Sequence, residues 1–425
     1  MTRFSGVRSV ARNSAFLFAT QATSIAIRFV YLFILARTLS PAAYGSLNYS
    51  LSWYLVVLPL TYLGADVVLA RHIGRRHDGA SHLLGSTLGM RVSAAVLVTG
   101  SLLAASSLRE QDTYLKGLIA LFSCALIGRS VWMWSASVFT AFEQAGLTLG
   151  FEIASRLLEL CAVLLVLKLF GPDLYKIAIV HAFSWLLQGA TSTIVAVRRY
   201  SPSFKRPGFE WLHLLREGAP GAVFSISTAI FFQLPIILFG QIVGPGNSLG
   251  YFALAFQVIT YLVGIPTVIA SASLPVLSRS AARRDGKDRL AAQYLVGGII
   301  LVGLGLVAAA WLVAGPVVAF SFGDRYAEAA LVLRAGVWLL IPASIAMLFQ
   351  NVLFSNHARS MLATTASLMG VAAMIILFPP FARSEGYVGA LVAVGAGLGL
   401  WTFLAAAETF RIGFFKKRIN VLRVK

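Results

Sequence analysis

Apolar residues come in long runs from Ser14 almost to the C-terminus, and short polar stretches separate the runs. A membrane-spanning helix needs roughly 20 mainly apolar residues. The pattern predicts twelve such helices, over 14–36, 44–70, 83–107, 114–141, 150–170, 174–197, 217–242, 248–276, 290–314, 327–354, 360–381 and 386–411. The connections carry residues that stop or turn a helix, among them Ser40-Pro41, Gly171-Pro172, Gly244-Pro245-Gly246 and Pro379-Pro380. The longest internal polar stretch runs from Arg198 to Arg216. It divides the chain into a lobe over 1–199, a linker over 200–216 and a lobe over 217–425. The first apolar run is too long for the core of a cleavable signal peptide and lacks a small-residue cleavage site, so it is expected to be retained.

The two halves repeat in parallel. The end of span 1 reads ILARTLSPAAYGSLNYSL from Ile34 to Leu51, and the end of span 7 reads IILFGQIVGPGNSLGYFAL from Ile236 to Leu254. Each has a proline-containing turn followed by a Gly/Tyr pair that opens the next helix. Span 2 then leads into RRHDG at 75–79, and span 8 into RRDG at 283–286. The expected fold is all-α: two six-helix lobes in the same orientation, with a substrate site between them near the midplane.

Composition agrees. The chain is 58% hydrophobic and only 12% charged, about half the charge of a soluble domain, and its mean hydropathy is +0.81. The net charge of +19 would suggest nucleic acid in a soluble protein. Here it sorts by side. With the N-terminus in the cytoplasm, twenty-three of the 35 Lys and Arg fall on the inner face, seven on the outer face, and five within spans. That is the positive-inside pattern, and it requires an even number of spans. No nucleic-acid partner is expected. Cys124 and Cys161 lie in apolar runs, where packing is expected and a disulfide is not.

The motifs Ile34–Gly45 (ILARTLSPAAYG), Tyr62–Asp66 (YLGAD), Arg71-His-Ile, Gly250–Ala255 (GYFALA) and Leu274–Arg279 (LPVLSR) carry a resemblance. The chain resembles the polysaccharide and O-antigen repeat-unit flippases of the multidrug/oligosaccharidyl-lipid/polysaccharide exporter superfamily. The resemblance implies a MATE-like fold in the bacterial inner membrane, with both termini cytoplasmic. It implies no enzyme activity and no cofactor. The cargo it implies is an undecaprenyl-pyrophosphate-linked oligosaccharide, moved by alternating access for O-antigen or exopolysaccharide synthesis. A polysaccharide polymerase and a chain-length regulator would be partners. One departure is that members often carry an acidic residue in span 7, where this chain has Gln233-Leu234 before Pro235.

The residues themselves point to an anionic cargo. Arg28, Arg91, Arg129, Arg156 and Arg334 lie within predicted spans. An arginine there costs about 2.5–3.5 kcal/mol on insertion scales, so it faces a bundle interior or an aqueous path. Guanidinium binds phosphate oxygens through paired N–H bonds and keeps its charge at any working pH. Other readings stand beside this one. Arg156 is four residues after Glu152 and three before Glu159, the spacing of an ion-paired cluster. Arg91 lies about two turns from a membrane end and can reach the headgroups. Glu328 can neutralise Arg334. Arg28 and Arg129 have no acidic residue within a turn and are expected to meet substrate.

Gln21, Gln233 and Gln257, with Tyr31, Trp53, Trp132, Trp134 and Tyr261, could contact sugar or pack helices together. Asp66, Glu152 and Glu159 are candidates for ion coupling, and Asp66 could instead cap a helix or pair with a nearby arginine. Glu408 is placed to pair with Arg411. Pro59, Pro235 and Pro266 lie within spans as hinges or fixed kinks. His72, His77 and His82 are five apart, which does not stack them on one helix face, so no metal site is expected. No G-x-x-x-x-G-K-[ST] loop is present, which excludes a built-in ATPase of that kind. Two alternatives remain open: a multidrug cation antiporter, which needs acidic groups in its cavity, and a membrane glycan polymerase or transferase.

Overall fold

The computed structural model describes residues 2–73, 80–204, 209–272, 286–355 and 360–411. The loop motifs at 75–79 and 283–285, His77, the Leu274–Arg279 segment and the tail from 412 lie outside them. Among the described residues the regular elements are α-helices and short 3-10 turns. The helices are α1 (Thr2–Thr38), α2 (Pro41–Val57), α3 (Ala65–Ile73), α4 (Ala80–Arg109), α5 (Thr113–Ala141), α6 (Ala145–Phe170) and α7 (Leu174–Tyr200). Then come α8 (Phe209–Val243), α9 (Asn247–Ala272), α10 (Gly286–Phe322), α11 (Ala327–Gly336), α12 (Leu340–Ser355) and α13 (Ser360–Arg411).

Nine helical stretches of the described residues are long and apolar enough to cross a membrane. Three of the twelve expected spans do not stand as separate long apolar helices, for visible physical reasons. Pro59 sits in a 3-10 turn at Leu58–Thr61, and Leu63 and Gly64 take positive φ, so span 2 breaks into α2 and α3. In α6, Glu152, Arg156 and Glu159 raise the charge of an otherwise apolar helix. The 52-residue α13 includes spans 11 and 12. It is not one rod: Gly386 has φ 58° and ψ −131°, and a Cβ on Gly389 would lie 1.9 Å from the Phe381 carbonyl oxygen, so the chain doubles back. Pro379 and Pro380, expected in the connection, lie within the helix; the break comes at Gly386. Pro235 and Pro266 are inside continuous helices.

Apolar side chains are exposed on the outside as well as packed in the core. Leu97, Leu301, Ile376 and Phe320 are exposed, whereas Arg91, Thr87, Ser123, Ser130, Ser135 and Ser192 are fully buried. Apolar side chains cover the outside because lipid, not water, is the surrounding solvent. Cys124 and Cys161 are free and exposed on these outer faces, not packed as expected.

Contacts divide the chain into two compact units, Met1–Ala253 and Leu254–Lys425. The first is centred on α5, which packs along α7, α4 and α2, while α1 lies on α6 and α8 on α2. Glycine sets two close approaches within it. A Cβ on Gly128 of α5 would lie 2.4 Å from the Trp185 carbonyl carbon, and one on Gly189 of α7 2.3 Å from the Gly128 carbonyl oxygen. The two backbones therefore touch with no side chain between them. At the start of α2 and α9, a Cβ on Gly45 would lie 2.7 Å from the Gly250 amide nitrogen, and one on Gly250 1.9 Å from the Pro41 carbonyl oxygen. The repeated Gly/Tyr pairs of the sequence thus meet each other. In the second unit α12 packs on α13, where Trp401 donates to Gln350 at 3.1 Å, and α10 packs on α11 and α12.

Helix starts follow the capping rules. Ser40 caps α2 with Pro41 in the first turn, and Asp173 caps α7 by accepting from the Lys176 amide. The Lys176 ammonium and amide hold the Asp173 carboxyl below the usual carboxylate range. A lowered folded-state value adds stability above the unfolded value, near 3.9, and that stability is lost as pH falls through the folded value. Asp173→Ala is expected to cost about 1 kcal/mol. Thermal unfolding of the detergent-solubilised protein should show this loss at pH 7, and a smaller one in acid.

Candidate functional site

A network of polar groups runs through the interior of the first unit. Arg156 in α6 lies between Glu159, to which its Nη1 donates, and Glu152, whose Oε1 is 3.7 Å from its Nε. This is the cluster expected from the i+3/i+4 spacing. Gln188 of α7 accepts from Arg156 at 2.9 Å and donates to Glu152 at 3.3 Å. Ser24 of α1 donates to Glu152 at 2.9 Å. On the other side, Glu159 meets His181 Nδ1 at 2.6 Å, and His181 Nε2 meets the Tyr54 hydroxyl of α2 at 2.8 Å. Arg129 of α5 donates to that hydroxyl at 3.1 Å. The ring of Trp185 lies 4.6 Å from the Arg129 guanidinium and 3.9 Å from that of Arg156. The chain Ser24–Glu152–Arg156–Glu159–His181–Tyr54–Arg129 thus links four elements of the fold besides α7.

Arg129 differs from its neighbours. Its direct contacts are a hydroxyl and an aromatic face, and among the described residues it forms no ion pair. Arg28 is half-buried on α1; Ser24, Arg28 and Tyr31 follow at i, i+4 and i+7, so the three share the face that Ser24 brings to Glu152.

A second pair lies apart from this network. Asp66 of α3 accepts from Arg91 of α4 at 2.5 Å and from Ser137 of α5 at 2.8 Å. Arg91 is fully buried, also donates to the Ser130 carbonyl at 3.3 Å, and lies 5.1 Å from the Tyr62 ring. It does not reach the headgroups, because Asp66 holds it inward. The partner of Asp66 comes from another helix, not from a neighbouring position in the sequence.

The other candidates are dispersed. Arg334, in the second unit, packs on Gly315 and lies 5.9 Å from the Trp311 ring; among the described residues it makes no ion pair, and Glu328 is exposed. Gln233 accepts from Ser52 at 3.4 Å, Gln257 donates to Tyr261 at 3.2 Å, and Gln21 is exposed. Trp134 is a core residue that donates to Thr87 at 3.1 Å, and Trp132 packs against Phe151. Glu408 accepts from Arg411 at 3.2 Å, as expected.

Tyr54, His181, Trp185 and Gln188 were missed in the sequence. The last three are all buried and spaced i, i+4, i+7 in α7, with Ser184 and Ser192 on the same stripe. That polar stripe inside an apolar helix was the available signal.

The fold is that of the multidrug/oligosaccharidyl-lipid/polysaccharide exporter superfamily. A superfamily transporter from Pyrococcus furiosus is similar at TM-score 0.70 and 15% identity, over 96% of this chain and 96% of that one. A point mutant of the MATE transporter VcmN of Vibrio cholerae is similar at 0.68 and 14%, over 97% and 98%. The lipid II flippase MurJ in its inward closed conformation is similar at 0.68 and 14%, over 95% and 87%. No curated protein matches the chain in sequence. Residues 10–281 match the family described as polysaccharide biosynthesis protein, and the chain belongs to that family.

Proposed function

We propose that this protein is a flippase that carries undecaprenyl-pyrophosphate-linked oligosaccharides across the bacterial inner membrane by alternating access. Its twelve spans form six-helix lobes over 1–199 and 217–425, with both termini cytoplasmic. O-antigen or exopolysaccharide synthesis consumes its product, alongside a polymerase and a chain-length regulator. The observation that carries this reading is Arg129, a guanidinium inside a membrane-spanning helix whose contacts are a hydroxyl and an indole face. It keeps its positive charge for a ligand, and a diphosphate headgroup supplies the paired oxygens that guanidinium recognises. Arg28, on the α1 face shared with Ser24, approaches the same headgroup. Arg91, Arg156 and Arg334 add positive potential, and Gln21, Gln233 and Gln257 supply polar contacts to the sugar.

A cation antiporter needs carboxylates available to a cation. In this chain Asp66, Glu152 and Glu159 each face a guanidinium, which favours the anionic cargo.

Arg129→Ala is expected to lower flipping of a lipid-linked oligosaccharide in everted vesicles at least tenfold, with membrane abundance unchanged. Arg28→Ala is expected to act in the same direction. Full activity in both variants would overturn the anionic-headgroup reading.

A further inference from the structure

The flippase reading leaves His181 without a role, although it is buried at the centre of the relay. It is 8% exposed, with both ring nitrogens engaged. A carboxylate only accepts, so Nδ1 carries the hydrogen donated to Glu159. In the neutral imidazole Nε2 then accepts, and the Tyr54 hydroxyl donates to it. The Tyr54 oxygen in turn accepts from Arg129. Every link in this arrangement is satisfied.

One added proton reverses the middle link. Nε2–H of the imidazolium must donate to the Tyr54 oxygen, which already accepts from Arg129. The hydroxyl hydrogen then turns away from His181 and becomes a donor for another acceptor beside the Arg129 guanidinium. Charge changes at the same time. The groups facing His181 are Glu159, with Arg156 and Glu152 behind it, on α6; Tyr54 on α2; Arg129 and the Phe122 ring on α5; and Trp185 and Gln188 on its own helix. Two guanidinium groups and two carboxylates cancel while His181 is neutral. Its protonation leaves one positive charge in excess, in surroundings where charge is weakly screened.

We propose that His181 is a proton-binding site linked to the anion site at Arg129, so that the phosphate-bearing headgroup and one proton bind together. Linkage is reciprocal: the factor by which the proton tightens anion binding equals the factor by which the anion tightens proton binding. The identity of the anion rests on the flippase reading; the linkage rests on the Glu159–His181–Tyr54–Arg129 relay.

The test uses the full-length protein in nanodiscs, titrated with inorganic pyrophosphate by calorimetry. Buffers of different ionisation enthalpy count the protons taken up, at several pH values between about 5.5 and 8. The ionisation of the probe itself is common to all variants and cancels in comparison. Wild type is expected to take up more protons per pyrophosphate than His181→Gln, by up to about one, and to gain more affinity as pH falls, up to about tenfold per pH unit. Tyr54→Phe cuts the link between imidazole and guanidinium and is expected to flatten the pH dependence in the same direction. Equal proton counts and equal pH slopes in wild type, His181→Gln and Tyr54→Phe overturn the linkage. If binding is nevertheless lost in Arg129→Ala, the flippase reading survives that result. No binding of pyrophosphate to wild type would overturn both.

Discussion

Gly250→Val is expected to abolish transport and lower thermal stability, while Gly246→Val, four residues earlier, should leave both near wild type. This contrast is expected from local space alone. A Cβ on Gly250 meets the Pro41 carbonyl oxygen at 1.9 Å, and backbone cannot swing aside as the end of a flexible side chain can. A Cβ on Gly246 meets nothing within 4 Å, and its φ is not in the left-handed region. Overpacking usually costs about 1–3 kcal/mol; here the relief must come from moving the start of α2 away from α9. That displacement also disturbs Tyr44 and Leu47, buried just beyond the contact. Heating the purified protein and following its monodisperse elution peak reads stability, and vesicle flipping reads transport. Equal behaviour of the two variants would show that the close approach at Gly45 and Gly250 carries no functional weight.

Glu159→Leu is the second change with a large expected effect. It leaves the Arg156 guanidinium with Glu152 at 3.7 Å as its remaining carboxylate, and leaves His181 Nδ1–H without its acceptor. Removing one member of a buried ion pair typically costs about 3–5 kcal/mol, because the remaining charge stays desolvated. Glu159→Gln keeps an acceptor oxygen and should lose less. The double variant Arg156→Met with Glu159→Leu should lose less than the two single losses added together, by about 0.5–3 kcal/mol. Strict additivity in that cycle, measured by thermal or denaturant unfolding in detergent, would mean that the pair contributes no interaction energy.

The two clusters differ in how far the sequence revealed them. Glu152, Arg156 and Glu159 lie on one helix, so helical geometry alone predicts their pairing. Asp66 and Arg91 are 25 positions apart on helices whose mutual packing no local pattern specifies, so the sequence left Arg91 open between a substrate contact and a reach to the headgroups, and offered Asp66 only an unnamed nearby arginine. His181 was illegible for a related reason. Its stripe with Trp185 and Gln188 was visible, but its meaning depends on Glu159 and Tyr54, which reach it from two other helices. The apolar runs were legible because lipid demands about 20 residues per crossing. The interruption of span 2 was not, because it combines Pro59 with left-handed backbone at both Leu63 and Gly64. Pro379 and Pro380 misled in the opposite sense, since a turn with Gly386 takes over the role of helix breaker a few residues later.

The contact of α5 with α7 at Gly128 and Gly189 bears on what can change during a transport cycle. Main chain lies against main chain there, so no rotamer change can widen or slide the junction. Arg129 immediately follows Gly128 in α5, and Trp185 and His181 lie one and two turns before Gly189 in α7. The guanidinium, the indole and the imidazole are therefore mounted on one frame, two helices held backbone to backbone. Ser24 on α1 and Tyr54 on α2 belong to helices outside that frame, and each is joined to it through hydrogen bonds of side chains. α6 is joined to the frame in the same way, by Glu159 to His181 and by Arg156 to Gln188, so the polar links to all three helices are side-chain contacts that can break while the two backbones stay together.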